Sequence, residues 1–143
     1  MTVVVDASVA LKWVLEEELT GEALALRERW IESEELTIAP PIFRSEVTNA
    51  LHRAVRRGGM DSAAASSGLG FLLASTAIDE PTGLYGRAFD IASELSQGAT
   101  YDAHYIALAE HHECDMWTAD RRLVRAAQRR FPAVRWLGEV VLA

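Results

Sequence analysis

Short apolar runs alternate with longer stretches of helical spacing along the whole chain, and few folds accommodate that order. Residues 2–6, 36–39, 115–118 and 134–137 read as strands, and 76–79 as a further short one. Between them, residues 8–16, 21–34, 42–57, 61–75, 82–97, 100–113 and 120–130 read as helices. In the stretch 42–57, Val47, Ala50, Leu51, Ala54 and Val55 recur at the spacing of one helix face. Thr20 is placed to cap a helix, Pro40-Pro41 to stop a strand, Gly58-Gly59 to break a helix and Gly98 to close one. Strands joined through helices return to the same end of the sheet and so run parallel. The spacing therefore predicts an α/β fold, a parallel sheet covered by helices on both faces. No repeat, low-complexity segment or linker interrupts the chain, so it reads as one domain, residues 1–143.

That architecture locates function before any residue is chosen, because ligands of open α/β sheets bind outside the carboxyl ends of the strands. Asp6 ends the run Val3-Val4-Val5, and Asp120 follows Met116-Trp117-Thr118-Ala119. Both are expected at that edge. Two more acids sit in unusual settings. Glu46 borders an apolar helical stripe, with Asn49 and Arg53 continuing its line. Asp102 opens Tyr101-Asp102-Ala103-His104-Tyr105-Ile106-Ala107-Leu108-Ala109, a stretch almost entirely apolar. Each acid also has a local explanation. Asp6 and Ser8 suit a turn and a helix cap, and Asp120 suits another cap. Glu46 could pair with a neighbouring arginine. Asp102 complements the dipole of a helix N-terminus. Together they imply more: two carboxylates about 4 Å apart repel by ~4 kcal/mol even at a surface-like dielectric. If the fold gathers four, some must protonate or a cation must bind, and all-oxygen ligands suit Mg²⁺ or Mn²⁺.

Composition narrows the classes. The one cysteine, Cys114, excludes an internal disulfide, and His52, His104, His111 and His112 lack zinc-site spacing. The formal net charge of −7 argues against a passive nucleic-acid binder held by phosphate contacts. It argues less against an enzyme whose divalent cations offset part of that charge. Lys12 is the only lysine beside thirteen arginines, and arginine is the better fork for phosphate. The first strand starts directly after Met1, which leaves no room for a signal peptide, and no apolar run approaches ~20 residues. A cytoplasmic protein without membrane contact is expected.

Four motifs occur in order: Val5-Asp6-Ala7-Ser8-Val9-Ala10; Pro40 with Glu46-Val47-Thr48-Asn49-Ala50-Leu51; Tyr101-Asp102 through Ala109; and Thr118-Ala119-Asp120-Arg121-Arg122-Leu123. With them the chain resembles the PIN-domain nucleases, most closely the VapC-type toxins of toxin–antitoxin pairs, over essentially its whole length. The resemblance implies a PIN-like three-layer α/β/α domain with a five-stranded parallel sheet. It implies a Mg²⁺- or Mn²⁺-dependent endoribonuclease, dimeric and neutralised by a VapB-type antitoxin. By motif, Asp6, Glu46, Asp102 and Asp120 are its catalytic, metal-holding acids. Ser8, Thr118 and Asn49 are the supporting residues, with Asn49 orienting Glu46. Residues 58–80 match no motif and fall where the family varies.

Arginines would hold the RNA backbone, with Arg44 and Arg53 in one group and Arg121 and Arg122 in another, although cations near helix ends also have purely local roles. Trp13, Trp30, Phe43 and Leu51 are candidates for a groove that takes an apolar segment of the antitoxin, or for the core or dimer packing. The alternative to an enzyme is a module of the same fold that binds RNA or protein without turnover.

Overall fold

The computed structural model describes residues 1–142. Ala143, the last residue of the expected single domain, lies outside the described residues. The chain runs β1 (Thr2–Val5), α1 (Ala7–Ala10), α2 (Thr20–Glu32), β2 (Leu36–Ala39), α3 (Ile42–Arg56), α4 (Ser62–Ser75), β3 (Ala77–Ile78), α5 (Leu84–Glu94), α6 (Tyr101–His112), β4 (Met116–Thr118), α7 (Arg121–Ala127) and β5 (Val134–Trp136). The five strands form one sheet in the order β3-β2-β1-β4-β5, with every pairing parallel. The steps β1→β2→β3 cross the sheet one way, and β3→β4→β5 the other. Since such crossovers are right-handed, α1–α4 cover one face and α5–α7 the opposite one. This is the expected three-layer arrangement. Among the described residues no helix is long and apolar enough to cross a membrane.

A central strand of a doubly covered sheet must be apolar on both sides, and β1 is: Val3, Val4 and Val5 are all buried. Phe43, Val47 and Leu51 of α3 pack beneath it, and Tyr105, Ile106 and Leu108 of α6 above. Full burial of side chains this size contributes roughly 1.5–3 kcal/mol each. Phe43, Leu51 and Trp30 therefore belong to the core, with an edge of Trp30 also lining a surface pocket beside Arg29 and Trp117. Trp13 is half-buried, packs edge-on against Trp30 with ring centroids 6.3 Å apart, and donates its indole N–H to the Ala23 carbonyl.

Local signals at helix ends were only partly realised. The first helix is one turn followed by a 3₁₀ turn, Leu11–Trp13, and does not reach residue 16. Thr20 does not cap α2: Leu19 takes that position with φ 67°. The Thr20 hydroxyl is engaged by the preceding turn, accepting from Glu17 N and donating to Leu15 O. Gly58 does end α3, at φ 77°, with Gly58 N on Val55 O and Gly59 N on Ala54 O. Gly98 does not close α5. Ser96 takes the left-handed conformation at φ 53°, and Gln97 N returns to Ala92 O.

Candidate active site

Register brings the first two acids together. Val5 pairs with Trp117, and Asp6 N extends the ladder by donating to Trp117 O at 3.0 Å. Asp6 and Thr118 thus stand side by side at the carboxyl edge. Thr118 is fully buried, and its hydroxyl donates to Asp6 Oδ2 at 2.8 Å. The Ser8 hydroxyl donates to the same oxygen at 2.6 Å. Ala119 N donates to Ser8 Oγ at 3.0 Å, and Asp120 N to Thr118 Oγ1 at 3.1 Å. The turns after β1 and β4 are therefore knitted into one polar cluster. Asp6 occupies the cap position of α1 without capping it, and Ser8 serves Asp6 instead of the helix.

The helical acids reach this edge from both layers. Glu46 is half-buried, and its Oε1 accepts from the hydroxyl of Tyr105 at 2.6 Å. Asn49 was the expected orienting residue, but its side chain is exposed, and the hydrogen bond that fixes Glu46 comes from Tyr105. The reason lies in the environment. A phenol in the core has no water to turn to and must find an acceptor, whereas an amide on the outer side of α3 is solvated. Tyr105 was visible in the sequence as a phenol beside the aliphatic run Ile106-Ala107-Leu108-Ala109, three residues from Asp102. Its partner was not. Asp120 does cap α7, with Oδ1 accepting from Arg122 N at 3.0 Å and Leu123 N at 3.2 Å.

The four acids share one electrostatic field. Burial, opposed by the Ser8 and Thr118 hydroxyls and reinforced by Glu46, pushes the Asp6 carboxyl up to about 6. Asp102 also rises to about 6, through burial and then through Asp6 and Asp120. Glu46 is raised by burial, against the pull of the Tyr105 hydroxyl, with Asp102 adding to the rise. Among the described residues no arginine or lysine is ion-paired with any of the four.

The donor set is that of a hard cation, and the acids' negative field is uncompensated. The side chains do not, however, converge on a point: among the described residues no three acid, histidine or cysteine side chains stand in ligating positions together. Internal donors explain this. Hydroxyls claim Asp6 Oδ2, the phenol claims Glu46 Oε1, and backbone amides claim Asp120 Oδ1. One oxygen of each of these carboxylates takes none of these bonds, and the chemistry of these all-oxygen donors suits a hard divalent ion.

Basic residues are exposed on α3 and α7. A groove of about 420 Å³ on the outer side of α3 is lined by Arg44, Ser45, Thr48, Asn49 and His52, and Arg53 is exposed on the same helix. On the other side Arg121 stacks over the Trp136 ring, 4.4 Å from its centroid, and Arg122 is exposed. Gly138 lets that indole lie flat, since a Cβ there would overlap the ring. Gly138→Ala is expected to displace Trp136 and to destabilise the fold by roughly 1–3 kcal/mol, read as a lower denaturation midpoint.

Comparison with known proteins agrees with this fold. The sequence model of the PIN domain matches residues 3–129. The chain belongs to the PIN domain family. This PIN domain is 34% identical over 131 residues to a VapC ribonuclease of Mycobacterium bovis (strain ATCC BAA-935 / AF2122/97), which covers 91% of this chain and 94% of that protein. The ribonuclease VapC9 of Mycobacterium tuberculosis (strain ATCC 25618 / H37Rv) matches with the same identity and coverage. Among solved structures, PAE2754 from Pyrobaculum aerophilum superposes with a TM-score of 0.67 at 26% identity, covering 88% of this chain and 84% of that one. VapBC2 from Rickettsia felis, bound to a DNA fragment from their promoter, superposes with a TM-score of 0.68 over 95% of this chain and 97% of that one. Its 11% identity makes it a likeness of fold alone.

Proposed function

We propose that this PIN domain is a metal-dependent endoribonuclease that acts as the toxin of a VapBC-type pair, with Asp6, Glu46, Asp102 and Asp120 as its catalytic acids. The observation that carries the reading is the shared field of the four: beyond burial, Asp6 and Asp120 raise Asp102 and Asp102 raises Glu46, and among the described residues no arginine or lysine is ion-paired with any of them. A structural cluster of that kind is unfavourable unless a cation completes it. Likeness to proteins named as VapC ribonucleases over 91% of the chain supports the substrate class.

Asp6 and Asp102 would hold Mg²⁺ or Mn²⁺ directly, with Glu46 and Asp120 joining directly or through water. When bound, the ion supplies an acidified water and offsets charge on the phosphate. The protein's own groups supply order. Ser8 and Thr118 fix Asp6 by one oxygen, so its other oxygen has a defined direction. Hydrolysis would break the P–O3′ bond, adding the water oxygen to phosphorus and a proton to the 3′ oxygen. Products would carry a 5′-phosphate and a 3′-hydroxyl. The described domain would act as one unit, and a homodimer and a VapB-type antitoxin are its proposed partners. Co-expression with the adjacent reading frame should restore growth and give co-purification; the absence of both would count against the partner.

Arg44, Arg53, Arg121 and Arg122 would hold the RNA backbone. Arg121→Ala is expected to weaken binding and to reduce the slope of log affinity against log salt by about 0.7 for one single-strand phosphate contact. An unchanged slope would assign Arg121 to packing on Trp136 alone.

A further inference from the structure

Tyr105 is wholly buried, and its hydroxyl donates to Glu46 Oε1 at 2.6 Å across 59 residues of sequence. Two roles could place it there. A tyrosine can fill core space and discharge its hydroxyl on any acceptor. It can also hold the group that accepts. Phenylalanine would fill the same space with no polar group to satisfy. The acceptor found here is no backbone carbonyl but a side chain of the acid cluster.

The geometry around Glu46 decides between the two. It is half-buried on α3, with the Tyr105 hydroxyl on its inner side. Outward lies the solvated side of the helix, with Arg44, Asn49 and Arg53 exposed. A flexible carboxylate would swing that way. The buried hydroxyl is the contact that opposes it. Tyr105 also sits three residues from Asp102 on α6, on one helix side, so the same hydrogen bond spaces Glu46 from Asp102. Asp6 is treated alike, with two hydroxyls converging on Oδ2.

We propose that Tyr105 is a positioning residue, whose hydroxyl holds Glu46 in the acid cluster by Oε1 and leaves Oε2 as the oxygen available to a cation. This rests on the ribonuclease reading above, but its test separates the two. Y105F, Glu46→Gln and the double variant are compared with wild type by Mg²⁺-dependent RNA cleavage, Mn²⁺ calorimetry and thermal unfolding. Y105F is expected to keep its thermal midpoint within a few degrees and its KM for RNA. Its kcat and Mn²⁺ affinity should each fall by roughly 10–100-fold, the usual effect of losing a group that orients a ligand. In the Glu46→Gln background the same change should cost less than about twofold, because the group it positions is already lost. Wild-type kcat and Mn²⁺ affinity in Y105F overturn the proposal. So does an equal cost in both backgrounds, or an unfolded Y105F, which would assign the hydroxyl to the fold. A wild type that neither cleaves RNA nor binds Mn²⁺ overturns the ribonuclease reading, and the positioning role with it.

Discussion

Asp6→Asn is expected to cut Mg²⁺-dependent RNA cleavage by on the order of 10²–10³, the cost of removing one preorganised charge-stabilising group, while making the ion-free protein more stable at pH 8. The two effects share one cause. Asp6 is 6% exposed, and burial lifts its carboxyl to about 6 despite the Ser8 and Thr118 hydroxyls. A carboxyl with a folded pKa above its unfolded one binds more protons folded than unfolded. Between about pH 4 and 6, then, stability falls as pH rises, and it stays low above that window. A rise of about two pKa units corresponds to at most about 3 kcal/mol. Asparagine keeps an oxygen for both hydroxyls and removes the buried charge. Cleavage of a defined RNA and thermal unfolding with chelator, at pH 8, check both arms. Equal cleavage by the two proteins would remove Asp6 from the catalytic set. A lower midpoint would mean that the hydroxyl contacts outweigh the desolvation they oppose.

Mn²⁺ is expected to stabilise the protein strongly at pH 8 and scarcely at pH 5. An ion at a hundred times its dissociation constant adds about 2.7 kcal/mol if it binds only the folded state. Asp6 and Asp102 both titrate near 6, so at pH 5 each is mostly protonated and the ion must displace the proton. With two protons to displace, affinity falls by up to about a hundredfold for each pH unit below that range. Thermal midpoints with and without Mn²⁺ at the two pH values measure this. An equal rise at both would place the ion elsewhere on the surface, where the run Glu16-Glu17-Glu18 offers carboxylates. Asp6→Asn should reduce the rise at pH 8.

Much of the fold could be read from particular residues because the forces that set them are local. The Val3-Val4-Val5 run could only be a strand covered on both faces, and it is β1. The α3 stripe at Val47, Leu51 and Ala54 faces the core as its spacing required. Gly58 ends that helix at a positive φ that other residues reach only with strain. Thr20 and Gly98 failed as signals for an equally physical reason. Each has the right chemistry, but the Thr20 hydroxyl was engaged by the turn before it, and Ser96 reached the left-handed conformation first.

By itself, the sequence determined the strand–helix alternation, the parallel sheet and the presence of two acids at its carboxyl edge. These follow from periodicity and crossover geometry, which act within a few residues or a single unit. Its motifs named the other two acids. Only the tertiary structure decided how the acids are held. Ser8 and Thr118 meet on Asp6 from positions 110 residues apart, through the register of β1 against β4. Tyr105 reaches Glu46 from a helix on the other face of the sheet. Asn49, adjacent to Glu46 on its own helix, does not hold it. A buried hydroxyl takes whichever acceptor the packing brings within reach, and packing is set by the whole core.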